Sequence, residues 1–399
     1  MDRREPGGPA LRLGTPGFFL RPDYYDVLAR LRRDAPVQPT VDGMVALSRY
    51  EDVRAVSRDP TRFVSGRGVL VNDPLRDPEG TGQRAFSILH LDPPMHAAYR
   101  SVVNRQFTPR ALAPLEARIR TVVQVALDAV PADEPVDLVE ALAAPIPIAV
   151  IAEMLGVVGA DRAQLRRWSD AAIESTDSTS AEQAEQLGQL AGFLMGHVRS
   201  PHTDRVDLLG LLKTTPVSDR LLDEAEIMGF CLTLLVAGNE TTRTLISGGA
   251  EALARHPEQR AALASDAALV PGAVEEMLRW VTPIQAFGRT AAIDTEIAGC
   301  EVPAGTFVVM LYASANRDES VFGATSDQFD VGRPVHPTHL AFGFGEHSCL
   351  GASLARLESR IFFEELLARY PRYRIHGEPS YTASTLVNGA RFMPVLLSG

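Results

Sequence analysis

One long segment without proline constrains the fold of this chain more than any other feature. Residues 223–255 run for about 33 residues without a break, whereas a typical globular helix has about 12 residues. Within the segment, the apolar run 227–238 is shorter than the roughly 20 residues that a helix needs to cross a bilayer, and it continues into Asn239 and Glu240. The segment therefore predicts a long helix buried in the centre of the molecule rather than a membrane span.

The patterns on both sides of this segment are mainly helical, with a minor β region. Helical spacing predicts helices at 24–33, from Tyr50, over much of 95–216, around 275–280 and at about 350–370. Alternation and turn residues predict a hairpin of 37–40 with 44–47, and short strands at 287–289, 296–298 and 307–312. No repeat or linker separates these pieces, so we predict a single mainly α domain over residues 1–399, with a loose N-terminal arm at 1–20.

The composition excludes several classes of function. With 45% hydrophobic and 22% charged residues, the chain has the composition of an ordinary globular protein. Its net charge of −11 has the wrong sign for attraction to nucleic-acid phosphates or anionic lipids. The 3 cysteines are too few for a disulfide framework, and the N-terminus shows no apolar targeting stretch. We therefore expect a cytoplasmic monomer that binds neither nucleic acid nor membrane.

The cysteine of the glycine-rich segment 342–351 is the first candidate for chemistry. Cys349 is predicted just before a helix, where the helix dipole and free backbone N–H groups favour thiolate, and the glycines permit close approach of a flat partner. A buried, inert cysteine fits Cys231 better, and a nucleophile activated by His347 lacks a visible orienting partner. Zinc would need about four ligands, and the sequence has no second Cys/His cluster. A single thiolate suits haem iron.

Four residues of this segment, Phe342, Gly345, Cys349 and Gly351, match the signature F-x-x-G-x-x-x-C-x-G, which binds haem in the cytochrome P450 family. The chain therefore resembles that family, and further motifs carry the resemblance over residues 92–358. The resemblance implies a triangular-prism helical fold with a minor β-sheet region. It also implies haem b (iron protoporphyrin IX) held by the Cys349 thiolate, and a monooxygenase of the soluble bacterial type.

A second motif lies in the middle of the predicted long helix, at residues 237–242. It resembles the family's oxygen-activation motif, in which Gly238 would leave room for a small ligand. The Thr241 hydroxyl beside the Glu240 carboxylate could hydrogen-bond dioxygen and relay protons. The alternative is that Thr241 only bonds the carbonyl four residues earlier and that Glu240 is solvated. Peroxide-driven relatives typically replace this acid–alcohol pair, so its presence favours dioxygen and external electrons.

Two rival functions share part of this pattern. A haem-binding sensor or carrier would also need Cys349, yet it has no use for Glu240 and Thr241. A haem-free cysteine hydrolase would be a colourless protein. The Soret band of the reduced, carbon-monoxide-bound protein separates all three, because only thiolate ligation shifts it to the family's characteristic position.

A third motif, Glu276-x-x-Arg279, places opposite charges three residues apart on one helix face. Without further information it would be a surface pair. The resemblance implies instead that the pair is buried behind the haem and joined by Arg333. We assign these three residues a structural role in supporting the Cys349 loop.

The remaining cofactor contacts are implied by the resemblance. His96 and Arg100 are four residues apart and share a helix face, as two donors to one anionic group should. A lone histidine or arginine is usually a surface residue, so each assignment depends on the whole set. The haem propionates are assigned to His96, Arg100, Arg289 and His347. Further haem contacts are assigned to Ala237, Gly238, Phe342, Gly343 and Gly351.

The substrate pocket is assigned by position in the family. It draws on the long loop 63–94, the central helix, the segment after the third motif and the C-terminal tail. These positions are mainly apolar, which favours an uncharged, lipophilic molecule of natural-product or steroid type over a sugar or nucleotide. The predicted lining residues are Val69, Phe86, Leu89, Thr233, Leu234, Ile284, Gln285, Phe287, Leu386 and Val387.

Electrons must come from another protein, because the sequence contains no flavin or iron–sulfur motif. The expected donor is a ferredoxin served by a ferredoxin reductase. Such donors are usually acidic, and this chain is acidic overall, so docking requires a local basic patch on the thiolate side. The candidates are Arg105, Arg110 and Arg356.

Overall fold

The computed structural model describes residues 11–76, 86–157, 161–177, 179–201 and 207–398. The α-helices are α1 (Tyr24–Asp34), α2 (Tyr50–Arg58), α3 (Met95–Asn104), α4 (Pro109–Leu112), α5 (Glu116–Asp128), α6 (Pro145–Leu155), α7 (Arg162–Glu174), α8 (Ala181–Arg199), α9 (Leu208–Thr214), α10 (Glu224–Arg255), α11 (Pro257–Ser265), α12 (Val270–Val281), α13 (Tyr312–Ala315), α14 (Glu319–Phe322) and α15 (Ala352–Arg369). The strands are β1 (Val37–Pro39), β2 (Val45–Leu47), β3 (Phe63–Val64), β4 (Val136–Asp137), β5 (Ala286–Ala291), β6 (Thr295–Ile297), β7 (Cys300–Val302), β8 (Phe307–Leu311), β9 (Arg374–Ile375), β10 (Ser380–Tyr381), β11 (Ala390–Phe392) and β12 (Pro394–Leu396). Short 3-10 helices lie at Pro16–Phe18, Pro74–Arg76, Ile88–His90, Arg105–Phe107, Ala113–Leu115 and Ala267–Leu269, and a π-helix lies at Val139–Ala143.

The predicted long helix is confirmed as α10, which has 32 residues. It begins with a capping box, because the Asp223 side chain accepts from the backbone N–H of Glu226 and the Glu226 side chain accepts from that of Asp223. The helix packs against α6, α7, α8, α12 and α15, so most of its surface is covered. Among the described residues, no helix combines the length and apolar character that crossing a bilayer requires.

The β region is confirmed as small. Its largest sheet has the strand order β1-β2-β8-β5-β3, with β2 and β8 parallel and the other pairs antiparallel. The predicted hairpin is β1 with β2, in which Val37 pairs with Leu47. The predicted strands near residues 287, 296 and 307 correspond to β5, β6 and β8.

The predicted loose arm is wrong for residues 11–20, and residues 1–10 lie outside the described part. Leu11 and Leu13 are fully buried, and Phe18 and Phe19 are nearly so. Phe18 makes an edge-to-face contact with Tyr24 of α1, with ring centroids 5.6 Å apart. The glycines and prolines of this segment hide its apolar residues from a periodicity analysis, but the segment covers one face of the largest sheet.

Glu276, Arg279 and Arg333 form one buried cluster, so the surface-pair interpretation is wrong. Arg279 donates through Nε and Nη2 to both carboxylate oxygens of Glu276, at 2.7 Å each. Arg333 donates through Nε to Glu276 Oε2 at 3.1 Å. Arg279 also donates to backbone carbonyls of the segment after α14, including that of Ser326 at 2.7 Å. The cluster therefore fixes α12 to the irregular chain that leads towards Cys349.

Glu276→Gln should lower the free energy of unfolding by about 3–5 kcal/mol, because it leaves two buried guanidinium groups without their counter-charge. The matched control is Glu224→Gln, which removes the partner of Arg199 from a pair whose side chains are 55% and 65% exposed. That change should cost at most about 1 kcal/mol. Chemical denaturation followed by far-ultraviolet circular dichroism measures both, and equal midpoints would contradict the structural role of the cluster.

Candidate active site

The glycine-rich segment forms a tight loop immediately before α15. Gly343 and Gly345 have φ angles of +66° and +77°, which side chains other than glycine rarely adopt. A Cβ on Gly345 would lie 2.2 Å from the carbonyl oxygen of Ser57 in α2. Because Gly345 has no Cβ, the loop can pack closely against the backbone of α2 rather than against a flat partner. The loop is closed by a hydrogen bond from the Cys349 N–H to the Phe342 carbonyl, at 2.8 Å.

The Cys349 thiol is solvent-accessible, although protein surrounds it on most sides. Desolvation by this surrounding protein raises the thiol pKa. A backbone hydrogen bond from Gly351 and the charges of Arg100 and Arg356 act in the opposite direction but do not outweigh it. The predicted preference for thiolate at the helix terminus is therefore wrong for the metal-free protein, because desolvation favours the protonated thiol. A coordinating thiol loses its proton because of the metal charge, so this pKa does not oppose iron ligation.

The predicted propionate partners from α3 and from the cysteine loop lie together. The rings of His96 and His347 have centroids 3.9 Å apart. His96 Nδ1 and His347 Nε2 lie 3.6 and 3.7 Å from the same oxygen of Glu346. Arg100 donates through Nη1 to the Glu346 carbonyl at 3.2 Å. The sequence analysis missed Glu346, which its position beside His347 could have indicated.

Electrostatics show that this cluster carries excess positive charge. Burial, followed by the charge of Arg100, lowers the pKa of His96 to about 4. Burial, followed by the charge of Arg289, lowers the pKa of His347 to about 2. Arg289 itself is buried, and desolvation lowers its pKa as well. Both histidines are therefore neutral donors or acceptors at pH 7, beside two buried or half-buried guanidinium groups.

The donor set fits haem. Two arginines and two histidines suit the two carboxylates of its propionates, because charge-assisted hydrogen bonds to carboxylate would offset the desolvation that is the main cause of these lowered pKa values. Arg100 influences the pKa values of both His96 and Cys349, so the thiol and the cluster belong to one site. His96, Glu346 and His347 could alone hold a metal ion, since their ligand atoms lie within 4.8 Å of one another. The neighbouring arginines favour an anionic group instead.

The surroundings of Glu240 and Thr241 in α10 agree in part with a proton relay and in part with the alternative of helix packing. Thr241 donates its hydroxyl to the Ala237 carbonyl at 2.8 Å, as the packing alternative expects. Glu240, however, is only 1% exposed, so the solvated alternative is wrong for it. It forms an ion pair with Arg243. Arg243 in turn lies 2.5 Å from the carboxylate of Asp170 in α7.

A series of ion pairs connects Glu240 to the protein surface. Arg166 pairs with both Asp170 and Glu140, and these residues line a cavity of about 300 Å³ together with Arg243. Burial raises the pKa of Glu240, and the charge of Arg243 opposes this rise. Arg243 was missed in the sequence, although its spacing of three residues from Glu240 on one helix is the usual signal for an ion pair.

Two neighbouring residues of α10 face different surroundings. A Cβ on Gly238 would lie 3.2 Å from the side chain of Ile151 in α6. Gly238 therefore allows close packing of two helices, which differs from its predicted role of leaving room for a small ligand. Ala237 is exposed although it lies in the middle of this enclosed helix, so it borders the interior space of the site.

Four of the predicted pocket residues lie in one apolar cluster. Leu386 and Val387 of the tail are buried there, with Ile284 and Phe287 packed against them. The cluster also contains three residues that the sequence analysis missed, namely Leu70, Ile173 and Val236. Leu70 and Val236 are direct neighbours of the predicted Val69 and Ala237. Ile173 is the penultimate residue of α7, a helix without any motif, so no sequence signal indicated it.

Three other predicted pocket residues lie outside this cluster and make defined contacts within the protein. Gln285 is buried and donates its amide to the carbonyls of Ser384 and Val387 at 2.9 and 3.2 Å. Val69 is also buried, and its carbonyl accepts from the Gly288 N–H at 2.8 Å. The third, Phe86, packs against the rings of Tyr99 and Phe230 at the edge of the main core.

The last three predicted pocket residues lie at the edge of the central helix. Thr233 donates its hydroxyl to the Gly229 carbonyl at 2.8 Å, and its Oγ1 lies 3.3 Å from Ser87 Oγ. Leu234 packs against the main hydrophobic core, and Leu89 is half-buried. These three residues therefore lie outside the apolar cluster.

Comparisons with known proteins agree with this geometry. A family model described as Cytochrome P450 matches residues 147–379. The methyl-branched lipid omega-hydroxylase of Mycobacterium tuberculosis is 37% identical over 410 residues, covering 97% of this chain and 95% of the relative. The monooxygenase PikC of Streptomyces venezuelae is 37% identical over 399 residues, covering 97% and 94%. A Mycobacterium marinum cytochrome P450 solved with pseudoionone has a TM-score of 0.87 at 33% identity, covering 99% and 100%. The chain belongs to the cytochrome P450 family.

Proposed function

We propose that this haem b monooxygenase inserts one oxygen atom from dioxygen into an uncharged, lipophilic small molecule, by hydroxylation or epoxidation, with electrons from a ferredoxin. The apolar cluster of Ile173, Leu386 and Val387 beside α10 carries the substrate assignment. The names of several relatives agree with it, since they include a methyl-branched lipid hydroxylase and a steroid monooxygenase. A cytoplasmic location and a monomeric state stay predictions.

Each residue of the site has a defined role in this proposal. Cys349 would ligate the iron, and His96, Arg100, Arg289 and His347 would hold the propionates. Bound haem supplies the activation of dioxygen and the transfer of one oxygen atom. The protein supplies the axial ligand, the orientation of the substrate and access for protons.

Proton supply would depend on Thr241 and Glu240. The Thr241 hydroxyl donates its proton to the Ala237 carbonyl, so Oγ1 offers lone pairs to a water or ligand in the site. To donate its proton to that water or ligand, the hydroxyl must rotate away from the Ala237 carbonyl. The raised pKa of Glu240 brings its protonation closer to neutral pH, and the ion pairs through Arg243 connect it to the surface cavity.

Cys349→Ala should abolish the thiolate-type Soret band of the reduced, carbon-monoxide-bound protein and all oxygenation. Cys231→Ala and Cys300→Ala should retain both. Cys231 is buried in an apolar part of α10, where desolvation raises its pKa to about 12, and Cys300 is exposed in β7. A parent-like spectrum and turnover in Cys349→Ala would contradict the ligand assignment.

Thr241→Ala should retain substrate binding and consumption of reduced nicotinamide but release much of the flux as hydrogen peroxide. The reason is that the alanine has no hydroxyl to organise protons near the bound dioxygen. Thr241→Ser keeps that hydroxyl and should keep most of the coupling. The ratio of product formed to nicotinamide consumed measures the effect. An unchanged ratio in Thr241→Ala would contradict a role in proton delivery and would mean that Thr241 only contributes to helix packing.

Of the three arginines predicted to form the basic patch for ferredoxin, Arg356 is already paired within the protein. Arg356 donates through Nε and Nη2 to the carboxylate of Glu275 at 2.6 and 2.9 Å, and its guanidinium lies 4.5 Å from the Phe342 ring centroid. It therefore supports the cysteine loop and offers little free charge. Arg105 and Arg110 are exposed, in short helices that pack against α15, and are the better candidates for docking.

The double variant Arg105→Glu/Arg110→Glu should slow reduction by ferredoxin at least about tenfold at low ionic strength. The effect should shrink above roughly 0.1 M salt, where the Debye length is about 10 Å. Reduction by dithionite should not change. The control is Arg167→Glu, which reverses an exposed charge on α7. Stopped-flow rates equal to those of the parent at every salt concentration would place docking on another surface.

A further inference from the structure

Three side chains of metal-binding type meet around one oxygen of Glu346, beside the arginines assigned to the propionates. His96 Nδ1 and His347 Nε2 lie 3.6 and 3.7 Å from Glu346 Oε1. The three ligand atoms all lie within 4.8 Å of one another. Distances of this length are too long for hydrogen bonds. Glu346 Oε1 is buried, and among the described residues it has no hydrogen-bond partner. A carboxylate oxygen thus lies unpaired between two imidazoles.

The spacing of these atoms suits one small cation. Zinc bonds of about 2.0–2.2 Å at tetrahedral angles place neighbouring ligand atoms roughly 3.3–3.6 Å apart. The two distances from Glu346 Oε1 are close to that spacing, so small side-chain rotations would be enough. Two imidazole nitrogens and one carboxylate oxygen suit zinc better than magnesium. Ser65 Oγ lies 3.2 Å from His347 Nε2, so its hydroxyl is available to a water molecule in the fourth ligand position.

The charge around these three side chains changes sign when haem binds. In the chain alone, Arg100 and Arg289 oppose a cation at this position. The two haem propionates would cancel those two charges and leave the carboxylates of Glu346 and Asp92 without counter-charge. Asp92 belongs to the same surroundings, because its charge acts electrostatically on both His96 and Glu346. One divalent cation would neutralise the two carboxylates that remain.

Both histidines are able to contact a propionate and a metal ion at the same time. His96 presents Nδ1 to Glu346, which leaves its Nε2 for another partner. His347 presents Nε2, which leaves its Nδ1. Histidines that bind zinc usually donate their other ring N–H to a carboxylate, which orients the ring. A haem propionate is such a carboxylate, so the proposed propionate contacts and a metal site are compatible.

We propose that His96, Glu346 and His347 form a binding site for one zinc ion in the haem-loaded protein. This inference rests on the proposed function, which assigns the propionates to Arg100 and Arg289 as well as to the two histidines. The ion would join α3 directly to the loop that carries the cysteine. An occupied site should slow the loss of haem, because the two elements that hold the propionates are then bonded to each other.

The first test measures zinc binding to the untagged, haem-loaded protein, with zinc chloride as the probe. Isothermal titration calorimetry and metal analysis after gel filtration should give one zinc ion per haem. Magnesium chloride should give no binding, because magnesium prefers oxygen ligands. Glu346→Gln keeps the side-chain size and the backbone carbonyl that accepts from Arg100. It should weaken zinc binding at least about tenfold, since even the loss of an outer-shell partner has an effect of that size.

The second test measures the transfer of haem to excess apomyoglobin, which does not depend on enzyme activity. Saturating zinc should slow this transfer at least about threefold in the parent protein, because a ligand that binds only the loaded form stabilises it. The same zinc concentration should change the transfer little in Glu346→Gln. Zinc that displaced the propionates would accelerate the transfer instead, and that result would overturn the site.

Three further variants make the result specific. Glu346→Ala replaces Glu346→Gln if the glutamine variant does not fold or does not bind haem. Glu378→Gln changes an exposed carboxylate two residues from the exposed His376, and it should leave zinc binding unchanged. Cys300→Ala removes an exposed thiol and should also keep the stoichiometry. Loss of zinc in either of these two controls would place the metal on the protein surface and overturn the site.

Each other outcome overturns a specific statement. No zinc binding to the haem-loaded parent would overturn the site and would leave water as the partner of Glu346 Oε1. Equal zinc affinity in the parent and in both Glu346 variants would place the metal elsewhere. Equally tight, Glu346-dependent binding to the haem-free protein would overturn the dependence on the propionates.

Arg289→Leu tests the proposed function separately, because it removes a proposed propionate partner but no zinc ligand. Without zinc, this variant should lose haem to apomyoglobin faster than the parent does. An unchanged transfer rate would contradict the propionate assignment of Arg289, whereas the zinc stoichiometry of the parent and of Glu346→Gln would still decide the metal site.

Discussion

The burial of α10 on almost every side is the constraint on which the other features depend. A helix in this position gains stability when its polar groups are paired, because burying an unpaired charge or amide is costly. Asn239 is fully buried and donates to Ser169 of α7 at 2.9 Å. Glu240 pairs with Arg243, and Arg243 in turn pairs with Asp170 of α7. The polar residues of α10 thus determine how α7 packs on it.

The propionate cluster of His96, Arg100, Arg289 and His347 beside Cys349 differs from α10, because its buried polar groups are not all paired within the protein. Burial is the main reason that the pKa values of His96 and His347 are low, and the charges of Arg100 and Arg289 lower them further. Such an arrangement is unfavourable for the isolated chain and favourable for a complex with two carboxylates. Haem binding should therefore contribute directly to the folding free energy, because the propionates would supply counter-charge to the desolvated guanidinium groups of Arg100 and Arg289.

Local patterns predicted much of the fold. The length of α10, its Asp223 cap, the first hairpin and the position of Cys349 before α15 all depend on residues close together in the chain. The candidate site was predictable wherever a motif fixes residue types at short spacing. Its propionate cluster and its Glu276 cluster came from the resemblance to the family rather than from spacing.

The errors share a physical cause, which is that tertiary contacts decide which side of a loop or helix faces the site. Gln285 and Phe287 are two residues apart, yet one holds the tail and the other packs in the apolar cluster. Gly238 faces α6, and Arg356 is neutralised by Glu275. No pattern within a single segment contains this information.

The buried N-terminal segment has a practical consequence for shortened forms of the enzyme. Leu11, Leu13 and Phe18 lie in the segment predicted to be a loose arm, but each buried side chain of this size contributes roughly 1.5–3 kcal/mol. A truncation after residue 20 would remove that contribution and expose the face of the sheet beneath it. It would also remove the Gly14 carbonyl that steadies Asn72. Truncated or N-terminally fused proteins should therefore keep the chain from Leu11 onward, since trimming at one end of the sequence would also disturb a loop that is distant from it in sequence.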